Sequence, residues 1–262
     1  MTPIGIVLAL VALIGAMTMD HENLASLIKV SSLLLVVGGS VGATMAGFEG
    51  RRLKAVPKAF IKALKPNKGP DTRATIEALI AIAKEARSNP LVLEEFETED
   101  IFLKKGIQLI ISTSEPERVS ELMASEIESL RMRHETAAKF FSDIAGFSPT
   151  FGILGTVVGL IGVLGQLSSP GKLGPAIASA FTATLWGVLL ANAVWLPISN
   201  KLRRLSGEEV AFREMVVEGL LTMQLNASTT ELKDRLYAYL PPSERDQATG
   251  RGSIGEAPDE AA

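Results

Sequence analysis

The chain has 262 residues, of which 47% are hydrophobic and 5% are aromatic, with a net charge of -3 and no cysteine. The apolar residues lie in blocks of roughly 18 to 25, the length that crosses a bilayer, which excludes an ordinary soluble globular protein. Without cysteine there are no disulfides and no thiolate chemistry, and the two histidines stand far apart. No metal site and no cofactor are therefore expected.

Four apolar blocks follow one another along the chain. They cover residues 3–19, 27–48, 146–167 and 174–198. The first begins close to the initiator Met, with no basic leader and no small-residue cleavage site, which predicts a retained span rather than a signal peptide. The blocks predict two transmembrane hairpins, 1–48 and 146–199, joined by short connections.

Basic residues predict the orientation of these spans. They follow the second span at Arg51, Arg52 and Lys54, and the fourth at Lys201 and Arg203, whereas the two short connections hold one lysine between them. By the positive-inside rule the long middle segment and both termini are cytoplasmic, and both short connections are external. In a bacterium this membrane would be the inner membrane.

The cytoplasmic segments predict helices. Apolar residues recur at three- and four-residue steps over 76–87 and 99–113, with a break at 88–90, and a run without breakers leads from Pro116 into the third span. We expect a helical domain over 49–145, further helices over 200–240, and a disordered tail over 241–262, which has little to bury. The fold class is an all-α integral membrane protein with four spans and a large helical region between the second and third.

Small residues mark one face of the third and fourth spans. In the third span they are Gly152, Gly155, Gly159 and Gly162, and in the fourth Ala176, Ala180, Ala183, Gly187 and Ala191. Within a bilayer such stripes indicate surfaces where helix backbones approach closely. The packing is either internal to the hairpin or part of a ring of subunits, and two full stripes favour the ring.

Two threonines lie within these stripes, Thr156 in the third span and Thr184 in the fourth. Each hydroxyl can bond its own backbone four residues earlier, the more frequent case for a single threonine, or face water or a partner. No Asp, Glu or Arg lies centrally in any span, and Lys29 is near the external end of the second. If the protein moves a cation, a partner must supply the binding carboxylate.

Longer stretches of sequence resemble the MotA/PomA flagellar stator subunits. They are SPTFGILGTVVGLIGVL and LGPAIASAFTATLWGVLLAN in the last two spans, LPISNKL after them, VVGGSVGATMAGF in the second span, and VEGLLTMQL with LYAYLPPSER near the C-terminus. The resemblance covers nearly the whole chain except the tail.

The resemblance implies a homo-oligomeric ring, thought to be a pentamer, around a dimer of a single-span MotB-like partner that carries the ion-binding aspartate and a peptidoglycan anchor. Passage of protons or sodium would drive the ring, whose cytoplasmic charges push on the rotor protein FliG. By motif, Pro149 and Pro197 match two functional prolines of the family. Thr156 and Thr184 match threonines that line the ion path.

The resemblance also places rotor-facing charges in the cytoplasmic loop. Arg87 matches the family's arginine, and Glu95 stands eight positions on, with Glu94 beside it, so the assignment of the acid stays open between the two. The sequence departs from the family at Pro90, where glycine is usual, and at Trp186, where tyrosine is usual.

Three other classes of function share some of these sequence features. An ExbB/TolQ-like energiser subunit resembles the stators in mechanism but has three spans and an external N-terminus. A channel or transporter acting alone would place its own ionisable groups near the midplane, and a structural scaffold without ion flux stays open. No nucleophile with a base and no phosphate loop is present, so the chain is not expected to be an enzyme, and its expected partners are protein subunits and lipid rather than nucleic acid.

Overall fold

A computed structural model of the chain describes residues 2–19, 27, 29–66, 69–165 and 170–249. These residues form helices, turns and loops, and no strand occurs among them. The helices up to residue 64 are α1 (Thr2–Met19), α2 (Val30–Leu33), the π-helical turn π1 (Leu34–Gly38), α3 (Gly39–Ala46), α4 (Gly50–Leu53) and α5 (Val56–Leu64). The rest are α6 (Thr72–Ser88), α7 (Val92–Glu95), α8 (Ile101–Ser112), α9 (Pro116–Leu164), α10 (Pro170–Leu190), the π-helical turn π2 (Ala191–Trp195), α11 (Leu196–Gln224), α12 (Thr229–Tyr237) and α13 (Pro242–Thr249).

Two helices in the described part of the chain are long and apolar enough to cross a membrane. They are Pro116–Leu164 and the continuous helix Leu173–Gln224, and two shorter apolar helices cover Ile4–Ala16 and Val30–Ala46. The predicted run from Pro116 into the third span is confirmed, because α9 is unbroken over 49 residues. The all-helical fold is likewise confirmed, whereas the layout of four spans stays a prediction.

The chain divides into two compact units, and each combines two separate segments. Unit 1 comprises Met1–Lys68 with Met132–Ser206, and unit 2 comprises Gly69–Arg131 with Gly207–Ala262. Unit 1 contains the two shorter apolar helices, the parts of the two long helices over 132–164 and 173–206, and a buried cluster that includes Ala63, Phe140 and Ile198. Aromatic rings extend this cluster, since Phe141 packs edge-on against Phe140 and stacks on Trp195.

Unit 2 is a helical domain with an apolar core of its own. Residues from α6, α8, α9, α11 and α12 form one buried cluster, and its fully buried side chains include Ile76, Leu79, Met123, Leu220 and Leu236. The core faces of α6 and α8 are those that the helical periodicity predicts, because apolar residues three and four positions apart share one face of a helix.

Side-chain caps explain where the helices of unit 2 begin. Asp71 accepts a hydrogen bond from the Ala74 amide at 3.0 Å, and Asp100 accepts one from the Phe102 amide at 2.8 Å. Ser228 does the same for the Glu231 amide at 3.1 Å. Each cap satisfies an amide that has no partner within its helix, which stabilises a helix by about 1 kcal/mol.

The structure corrects the expected tail. Pro242–Thr249 is helical, so the prediction of disorder over 241–262 is wrong for these residues, and residues 250–262 lie outside the described residues. Arg245 explains the order, because its guanidinium donates to the carbonyl oxygens of Tyr237, Ala238 and Leu240 at 3.1, 2.9 and 3.2 Å. Hydrogen bonds thus hold this helix although it has few apolar residues. Apolar periodicity alone cannot predict a helix of this kind.

The helix of the predicted fourth span also begins earlier than expected. The sequence placed its start at Gly174 after a turn, whereas α10 begins at Pro170. Proline is favoured at the first helical position because its φ is already helical and its missing N–H has no helical partner there. Residues 20–26, for which an external connection is predicted, and residues 166–169 lie outside the described residues.

Candidate functional site

Two hydroxyl groups meet between the third and fourth apolar helices. The Oγ1 atoms of Thr156 on α9 and Thr184 on α10 are in direct hydrogen-bond contact. Thr184 Oγ1 donates across the helix interface to the Gly152 carbonyl oxygen at 3.1 Å. Thr156 Oγ1 lies 3.3 Å from two acceptors, the carbonyl oxygens of Gly152 and Ala180. Because each hydroxyl has one proton, both groups keep acceptor capacity in a network that spans two helices.

This geometry distinguishes the two threonines from an ordinary helical threonine. Thr182 on α10 donates to Ala178 four residues earlier, at 2.8 Å, as a threonine in an apolar helix commonly does. Thr184 instead donates to the neighbouring helix, and Thr156 has acceptors on both helices. Thr156 thus lies beside its own backbone carbonyl at Gly152 as well as beside Thr184, and a role of the two hydroxyls beside water or a partner stays a prediction.

The small-residue stripes explain how the hydroxyls come so close. A Cβ added at Gly155 would lie 2.5 Å from the Cβ of Ala183, and one added at Gly187 would lie 2.6 Å from the Ser148 carbonyl oxygen. At Gly152 it would lie 3.0 Å from the Cα of Thr184. The helices can pack at this distance only because these positions have no side chain.

The predicted stripe therefore packs within the chain over most of its length. A Cβ at Gly159 would lie 2.7 Å from the Cβ of Ala180, which is 2% exposed. Gly162 differs, because a Cβ there would meet nothing within 4 Å. The glycines were expected to face other subunits, but in this structure Gly152, Gly155 and Gly159 face α10 of the same chain. The sequence cannot distinguish packing within one chain from packing between subunits, because both arrangements need the same spacing of small residues.

The two prolines lie within continuous helix. Pro149 is inside α9, one residue after the buried Ser148. Pro197 is the second residue of α11 and stands two residues after the end of π2, where the Leu196 amide donates to the Ala191 carbonyl five residues earlier. A proline removes a helical hydrogen bond and crowds the carbonyl four residues before it, and the wider π turn relieves that crowding.

The charged residues for which a rotor contact is expected lie at the end of α6 and on α7. Arg87 is in the last turn of α6, and its Nη2 donates to the Asn226 carbonyl at 3.3 Å. Glu94 and Glu95 occupy the one-turn helix α7, and all three side chains are exposed. In the described part of the chain no ion pair joins Arg87 to either acid, so both signs of charge face solvent here.

In another part of unit 2, ion pairs of Arg235 link α12 to α11. Its Nη1 lies 2.6 Å from Glu218 and its Nη2 lies 2.9 Å from Glu231. The hydrogen bonds to Glu218 and then to Glu231 raise the pKa of the Arg235 guanidinium. Partial burial, with the charges of Glu218 and Glu214, raises the pKa of Tyr239. These groups belong to unit 2 and lie outside the predicted spans.

Two contacts of the apolar helices were missed by sequence reasoning. Trp186, a departure to which the sequence assigned no function, donates from Nε1 to the Leu27 carbonyl at 2.7 Å. A Cβ added at Gly39 would lie 2.3 Å from the ring of Phe151, so the helix after π1 packs closely on α9. The only signal in the sequence is the run of small residues around Gly39, which does not identify its partner.

Comparison with known proteins covers almost the entire chain. A model of the MotA/TolQ/ExbB proton channel family matches residues 94–215, and a model of the motility protein A N-terminal region matches residues 3–90. Motility protein A of Bacillus subtilis (strain 168) is 34% identical, with 92% of this chain and 91% of that protein covered. Chemotaxis protein PomA of Vibrio alginolyticus is 30% identical, with 85% and 88% covered.

Solved structures agree with these relatives. The structure of the flagellar MotAB stator complex from Bacillus subtilis superimposes with a TM-score of 0.86 at 32% identity, over 93% of this chain and 97% of that one. The structure of C. jejuni MotAB gives a TM-score of 0.85 at 26% identity, over 92% and 95%.

The fold, the pair of threonine hydroxyl groups and the comparisons with known proteins together define an α-helical subunit of a membrane ion channel. Within that class, the chain belongs to the motility protein A family of flagellar stator subunits. The family resemblance that the sequence motifs carried is thereby confirmed.

Proposed function

We propose that the chain is the ring-forming, ion-conducting stator subunit of a bacterial flagellar motor. In this proposal it lies in the inner membrane with four spans and both termini in the cytoplasm. It surrounds a MotB-like, single-span, peptidoglycan-anchored partner as a homo-oligomer, expected to be a pentamer. Proton or sodium flow through the complex turns the ring, which acts on the rotor protein FliG.

The observation that carries the proposal is the hydroxyl pair between α9 and α10. Thr156 and Thr184 bring two oxygens together in apolar helices that have no acid at their centre. Hydroxyl oxygens can hydrogen-bond or coordinate an ion beside a carboxylate but cannot neutralise its charge. The site is therefore incomplete alone, and a partner's aspartate is the group that would complete it.

Mechanical roles follow for the prolines and the cytoplasmic charges. Pro149 and Pro197 interrupt backbone hydrogen bonding where the apolar helices continue into the cytoplasmic region, so we assign them as hinges between ion site and torque-bearing domain. Arg87 with Glu94 or Glu95 presents exposed charges that can steer and register a partner of opposite charge. No role in this mechanism needs bond-making catalysis.

The ExbB/TolQ-like energiser is the second candidate, since the family model over residues 94–215 includes those proteins. The match of residues 3–90 to the motility protein A N-terminal region favours the stator. Deletion of the gene tests the choice. The stator proposal expects cells that build flagella but do not swim, with motility restored by the wild-type gene and not by Thr184→Val. Normal swimming with a damaged outer envelope would support the energiser instead.

A further inference from the structure

A run of basic residues follows the second apolar block. Lysines and arginines recur between residues 51 and 68 with no acid among them, although the whole chain has a net charge of -3. They are Arg51, Arg52, Lys54, Lys58, Lys62, Lys65 and Lys68. The positive-inside rule accounts for their side of the membrane but not for their arrangement in the fold.

Helix α5 has a buried apolar face and an exposed basic face. Ala63 is fully buried and Phe60 is partly buried in the cluster of unit 1. Lys58 and Lys62 lie one turn apart on the exposed side, and Lys65, directly after the helix, is exposed as well. Residues four positions apart share one face of a helix, so these charges lie together. We call Lys58, Lys62 and Lys65 the basic face.

An open cavity of about 370 Å³ lies on the basic face. Its lining consists of the three lysines with Ile61 and Pro66, so the described lining holds three cations and no acid. Like charges repel each other, and three ammonium groups around one space therefore favour an anionic group there. Ile61 is 51% exposed and adds an apolar surface beside the charges.

Contacts of α5 place it beside the ends of two predicted spans. The Phe60 ring centroid lies 5.9 Å from that of Phe141 on α9, five residues before the predicted third span. Lys201 on α11, three residues after the predicted fourth span, donates from Nζ to the Lys65 carbonyl oxygen at 3.0 Å. At a rise of about 1.5 Å per residue, both contacts lie about 4 to 8 Å beyond the apolar blocks. The headgroup layer of a bilayer has a similar thickness, so α5 lies at headgroup depth.

We propose that the basic face binds the headgroup of an anionic phospholipid in the cytoplasmic leaflet. The lysine ammonium groups donate to its phosphate oxygens, and Ile61 contacts the first part of the acyl chains. An acidic protein segment would also match the charge, but the depth of α5 favours a lipid. The inference rests on the proposed placement of the chain in the membrane and adds to it a class of lipid that the subunit selects.

Lipid retention tests the class of lipid. The complete complex with its MotB-like partner is incubated in detergent with equal amounts of phosphatidylglycerol and phosphatidylcholine, and complexes of full mass are examined by native mass spectrometry. Phosphatidylcholine has the same phosphate group, but its quaternary ammonium group makes the headgroup neutral. Because one basic residue beside an anionic lipid strengthens binding about fivefold, the wild type should retain phosphatidylglycerol in at least about fivefold excess. Equal retention of the two lipids would overturn the proposal.

Variants of the basic face test which residues bind the lipid. Lys58→Gln combined with Lys62→Gln and Lys65→Gln should lower the excess of phosphatidylglycerol severalfold, because the cations are removed. Arginine at the same three positions keeps the charge and should keep the excess. The matched control removes three exposed lysines of unit 2, by Lys84→Gln, Lys104→Gln and Lys233→Gln, and should also keep it. An unchanged excess in the basic-face glutamine variant, or an equal loss in the control, would exclude the basic face as the lipid site.

Two other occupants of the basic face would give different results. Inorganic phosphate, compared with chloride at equal ionic strength, should not displace phosphatidylglycerol from the wild type. Displacement would identify a site for free phosphate and overturn the lipid assignment. If the basic-face glutamine variant keeps its lipid but loses the wild-type size on a gel-filtration column, the lysines contact an acidic surface of another subunit and the proposal is wrong.

A fluorescent label measures the depth of α5 and separates this inference from the function on which it rests. The chain has no cysteine, so Ile61→Cys provides one thiol of this subunit for the label, and Ala81→Cys on the exposed face of α6 is the control. In vesicles of phosphatidylglycerol and phosphatidylcholine, a lipid with a nitroxide on its headgroup should quench the label at position 61 severalfold more than at position 81. Equal quenching, in a complex that inserts into vesicles and drives motors in cells, would leave the stator function standing and overturn the lipid contact. A complex that does not insert would overturn both.

Discussion

A Cβ on Gly159 would lie 2.7 Å from the Cβ of Ala180, closer than two carbon atoms of different side chains can approach. Gly159→Ala should therefore force α9 and α10 apart and destabilise the complex by about 1 to 3 kcal/mol. Gly162→Ala is the control, since a Cβ there meets nothing within 4 Å, and it should keep or raise stability because alanine favours helix. Thermal unfolding of the detergent-solubilised complex measures both. Equal midpoints of thermal unfolding for Gly159→Ala and the wild type would show that the close contact does not exist.

The sequence predicts most of the helices but does not predict which helices pack against each other. The unbroken helix from Pro116 and the helix end after Arg87 were predicted from the local sequence, that is, from apolar periodicity and helix breakers. Both features are present in the structure. The partner of each stripe depends on which surfaces meet in three dimensions, so Gly159 could not be assigned to α10 rather than to another subunit. The bond from Trp186 to Leu27 joins residues far apart in sequence and had no local signal.

The hydroxyl pair should matter for ion flow rather than for folding. Thr156→Val and Thr184→Val keep the shape of the side chain and remove a group that donates and accepts hydrogen bonds. We expect reduced ion-driven swimming at normal membrane levels. Thr182→Val is the control, because Thr182 bonds only the backbone of its own helix among its described contacts. Full swimming by the first two variants, or equal loss in all three, would remove the pair from the ion path.

The prolines should affect torque without affecting assembly. Pro149→Ala and Pro197→Ala restore a backbone donor and stiffen each helix at a predicted boundary between its span and the rest of the helix. Rotation speed of tethered cells under load should fall, while the complex keeps its size on a gel-filtration column. Pro175→Ala, at an exposed position inside α10, should change neither quantity. Loss of assembly in the first two variants would point to a purely structural role.

Arg87 should act between proteins. Arg87→Glu removes one hydrogen bond at an exposed position, which changes folding stability by about 1 kcal/mol or less, yet it should impair swimming at normal expression. A matching charge reversal on FliG should restore part of the motility. Arg73→Glu at the other end of α6 is the control and should swim normally.

An internal role for Arg87 gives a different result. If Arg87 acted by pairing with Glu95, exchanging the two residues within this chain would rescue swimming with no change in FliG. Full motility in Arg87→Glu, Glu94→Lys and Glu95→Lys would remove all three charges from the mechanism.

Rotation of single motors tests the central claim most directly. The chain and its MotB-like partner are induced in cells that lack both genes, and the speed of a tethered flagellum is followed over time. A stator subunit predicts that stationary motors start and gain speed in discrete steps as complexes join, and that they stop when the ion gradient is dissipated. Motors that stay still although the chain and its partner are present in the membrane would contradict the account.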